Sequence, residues 1–171
     1  MLNLYIKISL KENNYKWLLL DVFMKKRVYI GADHAGFELK EKIKNYLGKS
    51  GFDFEDVGGI GDKTDDYPDF AHKVGNKVAK DKESFGILVC GTGAGVCIAV
   101  NKVKGIRAAQ VYDKYTAKRS REHNDANVIC FRGKDFDYNK GIKLLDIFLN
   151  TKYSNEKRHN RRISKIKRME R

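Results

Sequence analysis

Proline occurs once in the 171 residues, at Pro68, and cysteine three times, at Cys90, Cys97 and Cys130. The cysteines form no Cys-x-x-Cys pair and, being odd in number, cannot all pair among themselves. That excludes a disulfide framework or a zinc ribbon and fits a reducing cytoplasm. The four histidines, at 34, 72, 123 and 159, lack metal-ligand spacing, so no metal is expected. No apolar run approaches the ~20 residues that a membrane-crossing helix needs, and no membrane partner is expected. The patch Trp17-Leu18-Leu19-Leu20 is broken by Asp21. The head also carries Glu12 and Asn13 where a signal peptide would be apolar, and it lacks a small-residue cleavage site.

Negative charge is also in short supply, with 22 Asp and Glu against 35 Lys and Arg, a formal net charge of +13. More than half of that excess lies from Thr151 onward, where nine Lys and Arg face two Glu. The rest of the chain is only mildly basic and needs no polyanion to explain it. The basic tail has no aromatic residue beyond Tyr153 on which a base could stack, which argues against a nucleic-acid partner.

The length suits one domain with a sizeable core. Met24-Lys25-Lys26 directly precedes a strong strand, so Met24 reads as the biological start and residues 1–23 as an upstream extension. The extension is expected as a short amphipathic helix packed on the domain or on a partner. From there strands and helices alternate. Strands are expected over Arg27–Gly31, Phe52–Val57, Gly86–Cys90, Ile106–Tyr112 and Asn127–Phe131. Helices are expected over Phe37–Lys49, Pro68 to about Lys82, the stretch after the glycines, Lys114–Glu122 and Tyr138–Leu149. Their inward residues should include Phe37, Ile43 and Leu47, then Phe70, Val74 and Val78, then Ile142, Leu145 and Leu149. A last basic helix follows from Glu156, with Ile163 and Ile166 recurring at three-residue spacing. This alternation implies an α/β fold: a doubly wound, five-stranded parallel sheet in a three-layer sandwich, of flavodoxin-like or Rossmann-like order. Its ligand crevice would lie at the carboxyl ends of the strands.

The chain is organised around Gly86–Val103, in which an apolar strand runs into Cys90-Gly91-Thr92-Gly93-Ala94-Gly95 and then a helix. Glycines let successive N–H groups face one point, and a helix N-terminus adds favourable potential for an anion. The same dipoles favour a thiolate at Cys90, a candidate general base. Asp33 and His34 follow the first strand and should reach the same rim. His123 and Asn124 end a helix at the opposite edge, so they would serve another part of the cleft or the cleft of a partner subunit.

Each residue also has an ordinary role open to it. Cys90 suits a small buried core position, and Asp33 suits a helix cap. His34 and His123 suit exposed loops, and His72 a helix surface. Asn124 and Asp125 suit a turn, and Arg158 and Arg162, four apart, a solvated helix face. Together they form the set that proton abstraction beside a carbonyl needs: a base, imidazoles, oxyanion donors and cations for a phosphate, with no redox cofactor.

Six motifs occur in order. They are Gly31-Ala32-Asp33-His34-Ala35-Gly36-Phe37, Asp66-Tyr67-Pro68, Cys90 to Gly95, Asn101-Lys102, Gly105-Ile106-Arg107-Ala108 and Arg121-Glu122-His123-Asn124-Asp125. From about Met24 to the basic helix the chain resembles the ribose-5-phosphate isomerase B family, which also holds galactose-6-phosphate isomerase subunits. The resemblance implies interconversion of ribose 5-phosphate and ribulose 5-phosphate, without a cofactor, in a homodimer or a dimer of such dimers, whose cleft draws on both subunits. It implies Cys90 as the base with Thr92 beside it, His123 assisting ring opening, and Asp33 with Tyr67 at the sugar. Gly91, Thr92, Gly93, Ala94 and Gly95 would hold enediolate oxygens; Asn124 would contact substrate; and His34, Arg158 and Arg162 would hold the phosphate.

Two departures stand out. Lys134 occupies the place of a usual arginine, keeping the charge but losing the bidentate fork. Residues 1–23 have no counterpart. A six-carbon substrate such as galactose 6-phosphate or allose 6-phosphate is the alternative. A phosphate- or nucleotide-binding module is the other, which a steep fall of affinity with salt would reveal.

Overall fold

The computed structural model describes residues 26–62 and 64–170, together with the backbone of two strands near the start, β1 (Tyr5–Leu10) and β2 (Asn14–Leu19). These two pair antiparallel, Tyr5 opposite Leu19 and Leu10 opposite Asn14. The expected amphipathic helix is therefore replaced by a hairpin. Tyr5, Ile6, Ile8, Tyr15 and Trp17 are of the residue types that favour a pleated surface.

The main sheet has five parallel strands, β3 (Val28–Ala32), β4 (Phe54–Asp56), β5 (Phe85–Cys90), β6 (Ala108–Gln110) and β7 (Val128–Arg132). Their order is β4-β3-β5-β7-β6. The α/β class and the parallel sheet are as expected, but the last two strands are exchanged relative to flavodoxin order. β7 is buried along Val128–Phe131 and takes an inner place, whereas the three residues of β6 are only half-buried and suit an edge.

Side chains alternate between two cores, as period-two strands require. Val28 and Ile30, Ile87 and Val89, and Ile129 and Phe131 meet α1 (Phe37–Lys49) and α5 (Tyr138–Asn150). Tyr29, Leu88, Cys90, Val128 and Cys130 meet α2 (Tyr67–Lys80) and α3 (Ala94–Val100). The Cys90 side chain thus leaves the sheet on the α2/α3 side. Two further helices are α4 (Lys114–Asn124) and α6 (Lys157–Lys167).

The inward face of α2 is as expected, with Phe70, Val74 and Val78 buried. That of α5 is rotated, with Leu144, Leu145 and Phe148 fully buried and Ile142 and Leu149 half-buried. On α6 it is His159 and Ile163, four apart, that turn inward, while Ile166 is exposed.

A cation lies within the core of α1. Lys40 is 2% exposed, and its Nζ donates to both Asp56 carboxylate oxygens at 3.1 and 3.0 Å and to the Gly58 and Gly59 carbonyls. Burial raises the Asp56 carboxyl, but hydrogen bonds from Lys44 and Lys40 outweigh it and hold the group below its ordinary value. The ammonium pins the loop that leads from β4 towards Tyr67.

Candidate active site

β3 and β5 are neighbours, yet the chain leaves β3 for β4 on one side before returning to β5 on the other. A crevice opens at the carboxyl ends of strands where connections diverge in this way. Two turns line it. After β3, Asp33 is buried and its Oδ1 accepts the Ala35 and Gly36 N–H groups, both at 3.0 Å. Its carboxylate therefore closes the turn that precedes α1 and does not cap the helix, whose N-cap is Gly36 with no side-chain hydrogen bond. His34 is exposed and close enough to Asp62 to help hold that carboxyl down, behind the larger effect of hydrogen bonds from Thr64.

After β5, the Gly93 N–H donates to the Cys90 sulfur at 3.2 Å, and the Ala94 N–H to Thr92 Oγ1 at 3.3 Å. The amides of Gly91 and Thr92 make no hydrogen bond among the described residues and remain as donors on the turn. Gly93 adopts φ +79°, and a Cβ there would meet the Phe131 carbonyl carbon at 2.8 Å. The first turn is pressed against β5, because a Cβ on Gly36 would fall 2.5 Å from the Val89 carbonyl oxygen. Tyr67, at the start of α2, lies over the loop so closely that a Cβ on Gly95 would come within 2.8 Å of its ring. Asp33, His34, Tyr67, Cys90 and Gly91 to Gly95 thus share one rim.

Beside the glycine turn lies a cleft of about 850 Å³. It takes in Gly91, Thr92 and Lys134 and leaves out Asp33, His34, Tyr67 and Cys90, the last being 3% exposed and packed under the turn. The chain after β7 is tied to the turn, the Gly133 N–H donating to the Cys90 carbonyl at 2.8 Å and the Lys134 N–H to that of Gly91 at 3.2 Å. Sequence reasoning passed over Gln110, whose side-chain amide donates to the Thr92 carbonyl at 2.6 Å. It also passed over Arg132, which is held by the Lys134 and Asp135 carbonyls. Only their positions, at the carboxyl ends of β6 and β7, could have flagged them.

His123, Asn124, Arg158 and Arg162 lie elsewhere. Arg107, just before β6, donates to the carbonyls of Asn124 and Asp125 at the end of α4. That level is the beginning of β7 and β5, four residues below Cys90 and so roughly 13 Å away along the strands. The His123 ring stacks on that of His159, centroids 4.3 Å apart and planes 11° off parallel. Arg158 and Arg162 are exposed on α6, Arg158 pairing with Glu156. One chain therefore holds these two groups of residues at separate places. His72 is exposed on α2, within hydrogen-bond distance of Asn76.

His159 is 2% exposed, and its Nε2 has no hydrogen-bond partner among the described residues. Burial pushes its imidazole below the ordinary 6.5, and the charges of His123 and Arg158 act in the same direction. The unfolded chain then takes up a proton that the folded chain refuses, so stability falls as pH drops below about 6.5. The melting temperature of the parent should fall more between pH 7 and pH 5.5 than that of a His159→Asn variant. Parallel curves would contradict this.

A second thiol flanks the first. Cys97 on α3 is held down to about 7, first by a hydrogen bond from the Cys130 thiol against the opposing effect of burial, then by the Gln110 N–H and the Asn101 amide. Burial pushes fully enclosed Cys130 well up. Iodoacetamide at pH 8 should therefore alkylate Cys97 well before Cys130, with a rate inflection near pH 7, as peptide mass spectrometry would read. Equal labelling of the two would contradict this. Among the described residues no group of three or more His, Cys, Asp or Glu could hold a metal ion, and no helix is long and apolar enough to cross a membrane.

Comparison with known proteins bears on this arrangement. The profile of the Ribose/Galactose Isomerase family matches residues 28–166. The chain belongs to that family. It is 44% identical to the probable ribose-5-phosphate isomerase B of Mycoplasma genitalium, over 84% of this chain and 95% of that one. It is 40% identical to ribose-5-phosphate isomerase B of Mycobacterium tuberculosis, over 85% of this chain and 90% of that one. Among solved structures, the Mycoplasma genitalium isomerase with bound ribulose-5-phosphate superposes with a TM-score of 0.81 at 44% identity, covering 84% of this chain and 95% of that one. The Clostridium thermocellum isomerase also gives 0.81, at 40% identity, covering 84% and 97%. This family member thus carries its glycine turn and its paired imidazoles at opposite ends of one sheet.

Proposed function

We propose that the chain is an aldose–ketose isomerase that interconverts ribose 5-phosphate and ribulose 5-phosphate through an enediolate. The observation that carries this reading is the Cys90 sulfur at the end of β5, beneath a glycine turn whose Gly91 and Thr92 amides are unengaged. The Cys90 thiolate removes the proton from C2 of the open-chain aldose. The electron pair forms the C1=C2 double bond as O1 gains a proton. Delivery of a proton to C1 and loss of the O2 proton then give the ketose. The amides bear the developing negative charge on oxygen, and Thr92 lies beside the reacting carbons. Tyr67 and Asp33 face the sugar.

The other half of the machinery comes from a second copy. In a two-fold dimer the same surfaces meet reciprocally, so His123 and Asn124 of one subunit enter the cleft of the other, and His123 moves the proton that opens the furanose. Arg158 and Arg162 reach it with them and hold the phosphate together with His34 and Lys134. Residues 24–171 form this isomerase unit, and residues 1–23 precede it as an extension.

The test is direct. Purified protein is given ribose 5-phosphate, with chelator and without nucleotide, and ketose is measured. Ketose formation at a rate proportional to enzyme is expected. Turnover only of galactose 6-phosphate or allose 6-phosphate would replace the pentose reading, and turnover of none would overturn it.

A further inference from the structure

At the amino end of the sheet, away from the Cys90 rim, lies a separate cavity of about 310 Å³. Five cations line it, namely Lys26, Lys82, Arg107, Arg121 and Lys167, against a single carboxylate, Asp125. That carboxylate is already shared, since it accepts from Arg107 Nη2 at 2.8 Å and from Arg121 Nη1 at 2.9 Å. Lys26 leans on Glu83 at 3.6 Å, whereas Lys82 and Lys167 make no ion pair among the described residues.

The guanidinium of Arg121 is the anomaly. The residue is 5% exposed, its carbon lying 4.8 Å from the Phe85 ring centroid and 5.6 Å from that of Phe148. Its Nη1 has acceptors in Asp125 and the Ala126 carbonyl, but its Nε is buried with none among the described residues. Gathering like charges around a cavity while leaving a buried guanidinium incompletely satisfied is unfavourable, and an anion in the cavity relieves it.

We propose that this cavity is a second binding site, for a compact organic phosphate. Its phosphoryl group lies among Lys82, Lys167 and the two guanidiniums, where a dianion meets several donors at once. Its small carbon skeleton lies against Val78, Ala79 and Phe85, the apolar part of the lining. The volume is at the lower end of small-molecule sites, which suits a molecule of a few carbons. Because α4 carries both Arg121 and His123, occupancy acts on the helix end that presents the imidazole.

The site is tested on the full-length protein, ¹⁵N-labelled and titrated with inorganic phosphate against sodium chloride of equal ionic strength. The Gly105 and Asn127 amides should move and saturate with phosphate alone. The double variant Lys82→Glu with Lys167→Glu, both exposed positions, should bind there at least about tenfold more weakly. Its Gly91 and Thr92 amides should respond to phosphate as in the parent. Linear, non-saturating shifts at Gly105 and Asn127, equal shifts with chloride, or saturation unchanged in the double variant would overturn the proposal.

Discussion

Cys90→Ser is expected to lower kcat for ribose 5-phosphate by about 10³-fold, the range attributed to a positioned general base. A hydroxyl in place of the thiol can still accept the Gly93 N–H and occupies nearly the same volume, so the turn and the fold should persist. Yet an alcohol is far too weak an acid to stand ionised near neutral pH, and the step that removes the C2 proton loses its base. KM should change little, because the phosphate and sugar contacts are made by other side chains. Steady-state kinetics with a parallel melting curve checks this. A variant that retains near-parental kcat while folding normally would remove Cys90 from the chemistry.

Gly93→Ala is expected to destabilise the protein by about 2–4 kcal/mol and to cost most of its activity. Two independent effects combine at this position. The backbone has φ +79°, where an L side chain is strained, and the new Cβ would fall 2.8 Å from the Phe131 carbonyl carbon and 2.9 Å from the Arg132 nitrogen. Those atoms belong to the inner strand β7 and cannot give way cheaply, so the turn must move instead. It would carry with it the N–H that meets the Cys90 sulfur. Denaturant unfolding measures the first effect and kcat/KM the second. Tolerance of alanine in both would show that the turn is not held by the close approach of β5 and β7.

The sheet and the glycine turn were legible because their signals are local: an apolar strand, a cysteine, three glycines and a helix in unbroken succession. Where the chain is apolar on several sides the signal blurs. Ile142, Leu144, Leu145, Ile147, Phe148 and Leu149 offer α5 more than one inward stripe, and only packing against α4, α1 and the sheet selects Leu144, Leu145 and Phe148. Lys40 reads as surface because its partners, Asp56 and two carbonyls, lie 16 to 19 residues further on. His159 went unassigned for the same reason, since its role depends on stacking against a ring 36 positions away in sequence, His123. The hairpin at the head was misread because a short run of apolar and polar residues satisfies both periodicities. The separation of His123 from Cys90, in contrast, followed directly from alternation. A helix that returns between parallel strands must end at their amino side.

That separation is the centre of the account, and mixing two crippled proteins tests it most directly. Cys90→Ala and His123→Asn variants, each strongly impaired alone, are unfolded together, refolded and assayed with ribose 5-phosphate. If a cleft takes its thiol from one subunit and its imidazole from the other, half the dimers are mixed and each regains one intact cleft. Activity should then rise to about one quarter of the parent. A mixture no more active than the average of the two separate variants, with mixed dimers shown to be present, would contradict the shared cleft.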